Sequence, residues 1–122
     1  MREIKFRGRT EDGRWAFGNF VISNGFCFIT TLNLSILTYA THHTEVIPET
    51  IGQFTGLKDK NGKEIYEGDT LAPYGAEIVW NERLACWCGR HKNDVDMWPI
   101  YESIEYGLEI IGNIHENEGL LK

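Results

Sequence analysis

Two cysteines and a histidine within six residues form the most metal-like group in the sequence. Cys86 and Cys88 are two positions apart, so on a β-strand both side chains project from the same face, and a turn after them would bring His91 back as a third ligand. Structural zinc instead favours cysteines separated by two to four residues and four ligands in all. We therefore interpret the two cysteines as small side chains packed on one sheet face, and we expect no metal and no other cofactor.

The histidines are the next candidates for chemistry. His42, His43 and His115, the last beside Glu116, belong to the residue type that most often serves as a general base near neutral pH. A hydrolase also needs a nucleophile or a positioned water, and the sequence shows no nucleophile elbow, triad spacing or carboxylate pair. A small hydrolase that uses these histidines is therefore the least favoured of the three functions considered below, and no catalytic residue is assigned.

Basic residues alternate along the amino-terminal segment. Lys5, Arg7 and Arg9 fall on one face of a predicted strand, with Arg14 and aromatic residues following closely. A basic stripe beside aromatic rings is how small β-barrels hold single-stranded nucleic acid. However, acidic residues lie among these cations, and the whole chain has a net charge of −6, which disfavours nonspecific attraction to phosphates or to an anionic membrane. A nucleic-acid-binding regulator is thus the second alternative.

Residues 52–69 contain the densest turn chemistry in the chain. Asn61 and Gly62 lie between two short apolar segments, and this pair suits a type I′ turn, in which both central residues have positive φ. Residues 58–60 offer a loop longer than two residues as the alternative, because Asp and Asn side chains bond their own backbone two residues on. Gly68 and Asp69 form a second turn that leads into a new strand. The lysines and carboxylates of this segment lack the spacing of a calcium-binding loop, so we interpret them as turn and surface residues.

Most of the remaining segments have the alternation, and the aromatic and β-branched residues, of strands. We predict strands at residues 2–8, 14–22, 26–31, 53–57, 63–66, 70–71, 76–80, 84–88 and 108–114, the last with a bulge at Gly112. Residues 32–44 fit neither period and are predicted to form a loop, with one short helical turn in it as an alternative. Residues 46–47 are predicted to form a short strand, which the following proline limits to an edge or an end. Residues 89–96 are predicted to be a solvated loop, whereas residues 98–106 suit a helical turn or a strand equally.

These elements predict an all-β fold, with an amino-terminal antiparallel meander and a small barrel-like carboxy-terminal sheet that is similar to SH3-like barrels. At 122 residues and 42% hydrophobic composition, we expect one domain over residues 1–122, with subdomains at 1–50 and 51–122 as the alternative. No apolar run approaches the roughly 18 residues of a membrane span, and the start lacks the core of a signal peptide. We therefore expect a cytoplasmic protein with reduced cysteines.

Four blocks of the sequence resemble the YopX-like family. They are residues 2–8, 12–15, 55–69 and 110–117, in the family's order. The family occurs in bacteriophages and in prophages of Gram-positive bacteria, so the resemblance implies a mostly-β protein that acts in the host cytoplasm and has no established activity. Residues 26–48 and 89–98 do not match the family, so any function particular to this chain would lie there.

The leading prediction is a non-enzymatic phage or prophage accessory protein that binds a protein partner. The partner is a second copy of the chain or a protein of the phage or host, since sheets with open edges must be paired or covered. The basic start and the acidic residues after position 101 offer a further way for two copies to pair.

Overall fold

A computed structural model describes residues 3–35, 38–72, 75–91, 97–101 and 107–116, with the backbone alone for 32–35 and 38–41. Across these ranges the chain forms β-strands and short 3₁₀ turns without an α-helix, which confirms the all-β prediction. The strands are β1 (Phe6–Arg9), β2 (Trp15–Ser23), β3 (Phe26–Ser35), β4 (Thr38–Glu45), β5 (Gly52–Lys58), β6 (Glu64–Tyr66), β7 (Asp69–Leu71), β8 (Ala76–Asn81), β9 (Cys86–Arg90), β10 (Met97–Pro99) and β11 (Ile110–Asn113).

The strands form two antiparallel sheets, in the orders β4-β3-β2-β1-β5-β6 and β10-β9-β8-β7-β11. The chain also divides into two compact units, Met1–Phe54 and Thr55–Lys122. The first contains β1 to β4 and the start of β5. The second contains the rest of β5 and all later strands, so each candidate site below lies within one unit.

A tight turn organises the first unit. Asn24 and Gly25 have φ angles of 52° and 81°, the positive values that a two-residue type I′ turn needs, and they join β2 to β3. Glycine adopts this backbone region because it has no Cβ atom, and asparagine tolerates it because its short polar side chain can form local hydrogen bonds. The turn pairs Ser23 with Phe26 and sets the register of the two longest strands.

The core of the first unit lies on one face of this sheet. Ile29 is only 1% exposed, and the rings of Phe6 and Phe20 lie 5.9 Å apart on that face. Val46 covers Gly8 so closely that a Cβ atom added there would lie 2.7 Å from the valine Cγ2. The glycine is therefore required by packing rather than by a turn.

The predicted loop at residues 32–44 is wrong. β3 continues to Ser35, and β4 pairs with it from the Phe28–Glu45 pair to the Ser35–Thr38 pair. Polar residues dominate β4, so alternation cannot reveal a strand that is held by backbone pairing to its neighbour. The strand predicted at residues 46–47 is also wrong, because these residues lead into the 3₁₀ helix Pro48–Thr50.

The second unit opens with the predicted hairpin of β5 and β6, but the turn differs from expectation. Gly62 has a φ of 81°, whereas Asn61 is not among the described non-glycine residues with positive φ. The N–H of Gly62 donates to the Asp59 carbonyl at 3.0 Å, and the Asp59 N–H donates to the Lys63 carbonyl at 2.8 Å. This is the pattern of a three-residue loop with a left-handed glycine, so the two-residue type I′ turn is wrong and the alternative of a longer loop is confirmed.

The core of the second unit contains a cluster of four buried residues: Ile65 on β6, Leu71 on β7, Ile78 on β8 and Ile100 directly after β10. The predicted bulge is confirmed, because the register of β11 against β7 shifts between Ile110 and Gly112.

Several boundaries in this unit differ from the prediction. β9 begins at Cys86 rather than at residue 84, after a turn in which Ala85 has a positive φ of 53°. Residues 89–90 of the predicted loop at 89–96 belong to β9, residue 91 follows the strand, and residues 92–96 lie outside the described residues. The segment 98–106 is predicted to suit a helical turn or a strand equally. Residues 98–99 form a strand and residues 100–101 a 3₁₀ turn, whereas residues 102–106 lie outside the described residues.

Candidate functional site

Apolar side chains lie on one exposed face of the β2–β3 hairpin. Val21 lies opposite Phe28 and Ser23 lies opposite Phe26 in the ladder, so all four project from one face, and alternation along β2 places Phe17 there too. The exposed fractions are 49% for Phe17, 40% for Val21 and 56% for Phe26. We call Phe17, Val21, Phe26 and Phe28 the apolar face.

Beside this face, β4 ends the sheet. It is eight residues long, it pairs with β3 on one side, and the sheet order places no further described strand on the other. An edge strand of this length presents a row of backbone groups that can pair with another strand. β4 contains neither lysine nor proline, the residues that commonly prevent such pairing.

His42 and His43 lie on this edge strand and are exposed. The Nδ1 atom of His43 is 2.9 Å from the hydroxyl of Thr30 on β3. His43 also borders a shallow depression with Glu11, Asp12, Arg14 and Glu45, among other residues. Because the hydrogen bond of the imidazole goes to a threonine on the neighbouring strand, this arrangement is a strand contact rather than a histidine–carboxylate pair.

His115 lies in the second unit, in the turn after β11. Its backbone N–H, like that of Glu116, donates to the Oδ1 of Asn113 at 2.9 Å. Asn113 is 5% exposed and closes the turn by accepting both hydrogen bonds. The placement of His115 is thus explained by turn geometry.

Two of the predicted phosphate-binding cations are held against aromatic rings. Lys5 places its Nζ 3.2 Å from Glu3 and 5.1 Å from the Phe54 ring centroid. Arg7 is 7% exposed, and its guanidinium carbon lies 4.7 Å from the Trp15 ring centroid. Both cations therefore engage groups within their own chain, and Arg7 is part of the packing rather than of a solvated face.

The other two cations contact the turn between β1 and β2. Arg9 donates from Nε to the Gly13 carbonyl at 3.4 Å, and Arg14 donates from Nε to Asp12 at 2.9 Å. Hydrogen bonds from the Thr10 hydroxyl and from Arg14 outweigh desolvation and lower the pKa of Asp12. Arg14 remains 76% exposed, so it is the most accessible of the four predicted cations.

Cys86 and Cys88 lie together on one face of β9, as their spacing predicts. Their sulfur atoms are 3.8 Å apart. Cys88 is fully buried, and burial, with a further contribution from the Cys86 thiol, raises the pKa of Cys88 to about 11. Both are free cysteines, as is Cys27 in the first unit.

His91 does not join the two cysteines. Its ring lies 4.9 Å from that of Trp98, which is opposite Gly89 in the ladder and therefore on the other face of β9. The tryptophan lies so close to Gly89 that a Cβ atom added there would be 2.6 Å from its Cζ2 atom. Among the residues with described positions, no three or more of His, Cys, Asp and Glu are grouped to hold a metal.

Met97 pairs with Arg90 on β9 and lies on the same face of the sheet as the two cysteines, which the sequence did not indicate. The Nδ2 atom of Asn81 lies 3.4 Å from the Met97 sulfur. A methionine after a long polar segment gives no sequence signal of such proximity, because the contact depends on the pairing of β10 with β9.

The four predicted turn residues lie in turns or at a strand start. Asn61 and Gly62 form the β5–β6 loop, and Gly68 precedes Asp69 at the start of β7. Asp69 is 2% exposed, and its Oδ2 accepts a hydrogen bond from the Tyr66 N–H at 2.7 Å. Its carboxylate therefore stabilises the turn between β6 and β7.

Comparisons with known proteins agree with this fold. The crystal structure of protein EF1440 from Enterococcus faecalis superposes with a TM-score of 0.60 and 26% sequence identity, and both chains are covered completely. No curated protein matches the chain. In the described residues, no helix is long and apolar enough to cross a membrane. The family model described as YopX protein matches residues 22–122, and the chain therefore belongs to the YopX family.

Proposed function

We propose that this chain is a non-enzymatic phage or prophage accessory protein that acts in the cytoplasm of the bacterial host by self-association. Two copies pair through the open edge of β4, and the apolar face packs beside that junction. The observation that carries the proposal is the adjacency of an open eight-residue edge strand and an exposed apolar surface in one sheet.

The apolar face favours an interface over a solvated surface. Phe17, Val21 and Phe26 each expose two fifths or more of their surface. Val21 lies opposite Phe28 and diagonal to Phe26, whereas Phe17 lies on the same face of β2 beyond Asn19. Isolated exposed apolar side chains are ordinary, whereas a contiguous group of them marks an interaction surface. Burying such a group releases about 25 cal/mol for each Å² removed from water.

The sequence of β4 favours a second copy as the partner. Residues 41–44 read Thr-His-His-Thr in both directions. A two-fold axis between His42 and His43 would pair residue 42 of one copy with residue 43 of the other, in an antiparallel ladder. An isologous contact of this kind needs no second surface on the molecule, because the same edge serves both copies.

Molecular mass measured by light scattering during size-exclusion chromatography, over a range of protein concentrations, tests the proposal. We expect a dimer or a larger closed assembly that dissociates on dilution. Val21→Lys adds a charge to the apolar face and should shift the protein to the monomer. Ile114→Lys is the matched control, because Ile114 is 39% exposed, almost the same as Val21, and lies in the other unit.

A wild-type protein that stays monomeric at every concentration would overturn self-association. If Val21→Lys leaves the assembly intact, another surface forms the contact. The same conclusion follows if Ile114→Lys disrupts the assembly as much as Val21→Lys does. Circular dichroism of both variants separates loss of assembly from loss of folding.

A further inference from the structure

We propose that Cys86, Cys88 and Met97 form a binding site for a cuprous ion. All three sulfur atoms belong to the second unit, so this inference does not depend on the proposed self-association.

The two thiols already have the separation of ligands on one ion. Their sulfur atoms are 3.8 Å apart. With a metal–sulfur bond of about 2.3 Å, two sulfurs on one ion are about 3.8 Å apart at the tetrahedral angle and about 4.0 Å apart at the trigonal angle. Both cysteines can therefore bind one ion with little movement of β9.

Strand order places the Met97 sulfur on the same side of the sheet as the thiols. β9 lies between β8 and β10, with Asn81 of β8 opposite Cys86 and Met97 of β10 opposite Arg90. The contact of 3.4 Å between the Asn81 amide and the Met97 sulfur must therefore pass over β9. Cys88, midway between Cys86 and Arg90, lies beneath that contact, which agrees with its complete burial.

The donor set selects the ion. Two thiolates and a thioether are soft ligands, which favour Cu(I) over the harder divalent ions. A structural zinc site would need four ligands. His91, the nitrogen donor nearest in sequence, faces the other side of β9 beside Trp98. Three sulfur donors match the low coordination number that a cuprous ion accepts.

Binding requires no change of oxidation state. The ion arrives as Cu(I), each cysteine thiol loses its proton to solvent, and two copper–thiolate bonds form while the thioether donates a lone pair without losing a proton. Cys86 is only partly buried, so the ion has a path to the site from that end. Asn81 is a positioning residue, because its amide holds the methionine over the thiols.

Anaerobic titration with Cu(I) in competition with the chromophoric chelator bicinchoninate tests the site on the full chain. We expect one equivalent of Cu(I) to transfer to the reduced protein. Asn81→Ala removes a partner of a ligand and should weaken Cu(I) binding by about 10- to 100-fold. Cys86→Ser removes a ligand itself and should weaken binding by more than that. Met97→Leu, which preserves volume, should also weaken binding.

Cys27→Ser is the control. Cys27 lies on β3 in the other unit, so its substitution should leave the affinity for Cu(I) unchanged. Circular dichroism of each apo variant verifies folding, and Cys86→Ser is preferred to substitution of the buried Cys88 for that reason. The proposal is overturned if folded wild-type protein takes no Cu(I) from the chelator, or if Cys86→Ser binds as tightly as wild type. Unchanged affinity in Met97→Leu, or preference for Zn²⁺ over Cu(I), would likewise overturn it.

Discussion

The Oδ2 atom of Asp59, in the loop between β5 and β6, accepts a hydrogen bond from the backbone N–H of Ile110 on β11, with an N···O distance of 3.2 Å. Its Oδ1 atom accepts from the N–H groups of Asn61 and Lys63, both at 2.9 Å. One carboxylate thus organises the hairpin loop and ties it to a strand about fifty residues away. Although burial raises the pKa of Asp59, the three backbone hydrogen bonds, with the charge of Lys63, outweigh burial and lower it.

We expect Asp59→Asn to lower the free energy of unfolding by about 1–3 kcal/mol at neutral pH, because an amide nitrogen cannot accept the hydrogen bonds that the carboxylate oxygen accepts. A carboxyl whose pKa falls on folding contributes its full stability above the unfolded value of about 3.9, and that stability is lost as pH falls through the folded pKa. The difference between wild type and variant should therefore shrink below about pH 4.

Urea unfolding at neutral and acidic pH measures this difference, with Glu49→Gln as a control that removes an exposed carboxylate. An equal difference between wild type and Asp59→Asn at both pH values would contradict the assigned role.

Packing at the β9–β10 pair gives a second prediction. A Cβ atom at Gly89 would lie 2.6 Å from the Trp98 ring, so Gly89→Ala forces the ring or the strand to move. We expect a loss of about 1–3 kcal/mol in the free energy of unfolding, the usual cost of overpacking. Chemical denaturation followed by tryptophan fluorescence measures it.

The double variant Gly89→Ala with Trp98→Phe is the control for this mechanism. The smaller ring leaves room for the methyl group, so the alanine should cost less in that background than in the wild type. Equal costs in both backgrounds would show that contact with the tryptophan is not the cause.

The contacts of the amino-terminal cations give a third prediction. Arg7 is buried against Trp15, and Lys5 lies beside Glu3 and Phe54, so these charges are already engaged within the chain. We expect no salt-dependent binding of single-stranded DNA at moderate ionic strength, measured by fluorescence anisotropy. Binding that weakens with salt and is lost in Arg14→Ser, which removes the most exposed of these cations, would restore the nucleic-acid alternative.

Sequence reasoning succeeded where local chemistry determines the structure. Turn residues and alternating strands led to the β5–β6 hairpin, the β8–β9 pair and the bulge at Gly112. It predicted turns at both Asn-Gly pairs but assigned type I′ to Asn61-Gly62, whereas Asn24 is the asparagine with positive φ. In the later loop the Asp59 carboxylate accepts hydrogen bonds from the N–H groups of Asn61 and Lys63, which favours the three-residue loop.

The residues on which the two proposals rest are brought together by tertiary pairing. β4 is polar and has no readable alternation, so its strand conformation follows from the β3 backbone beside it. Met97 shares a sheet face with the cysteines, and contacts Asn81, only because β10 pairs with β9. His91 is close to the cysteines in sequence but lies on the opposite side of β9. Sequence spacing cannot predict that side, because a turn after Cys88 would have placed His91 beside the thiols.

Backbone amide hydrogen exchange in β4, measured by mass spectrometry at several protein concentrations, tests the proposed edge pairing most directly. Pairing between copies should slow exchange in Thr38–Glu45 as concentration rises, and Val21→Lys should abolish this concentration dependence while Ile114→Lys preserves it. Exchange in β4 that is equally fast at all concentrations, in a protein that nevertheless assembles, would contradict pairing through this edge.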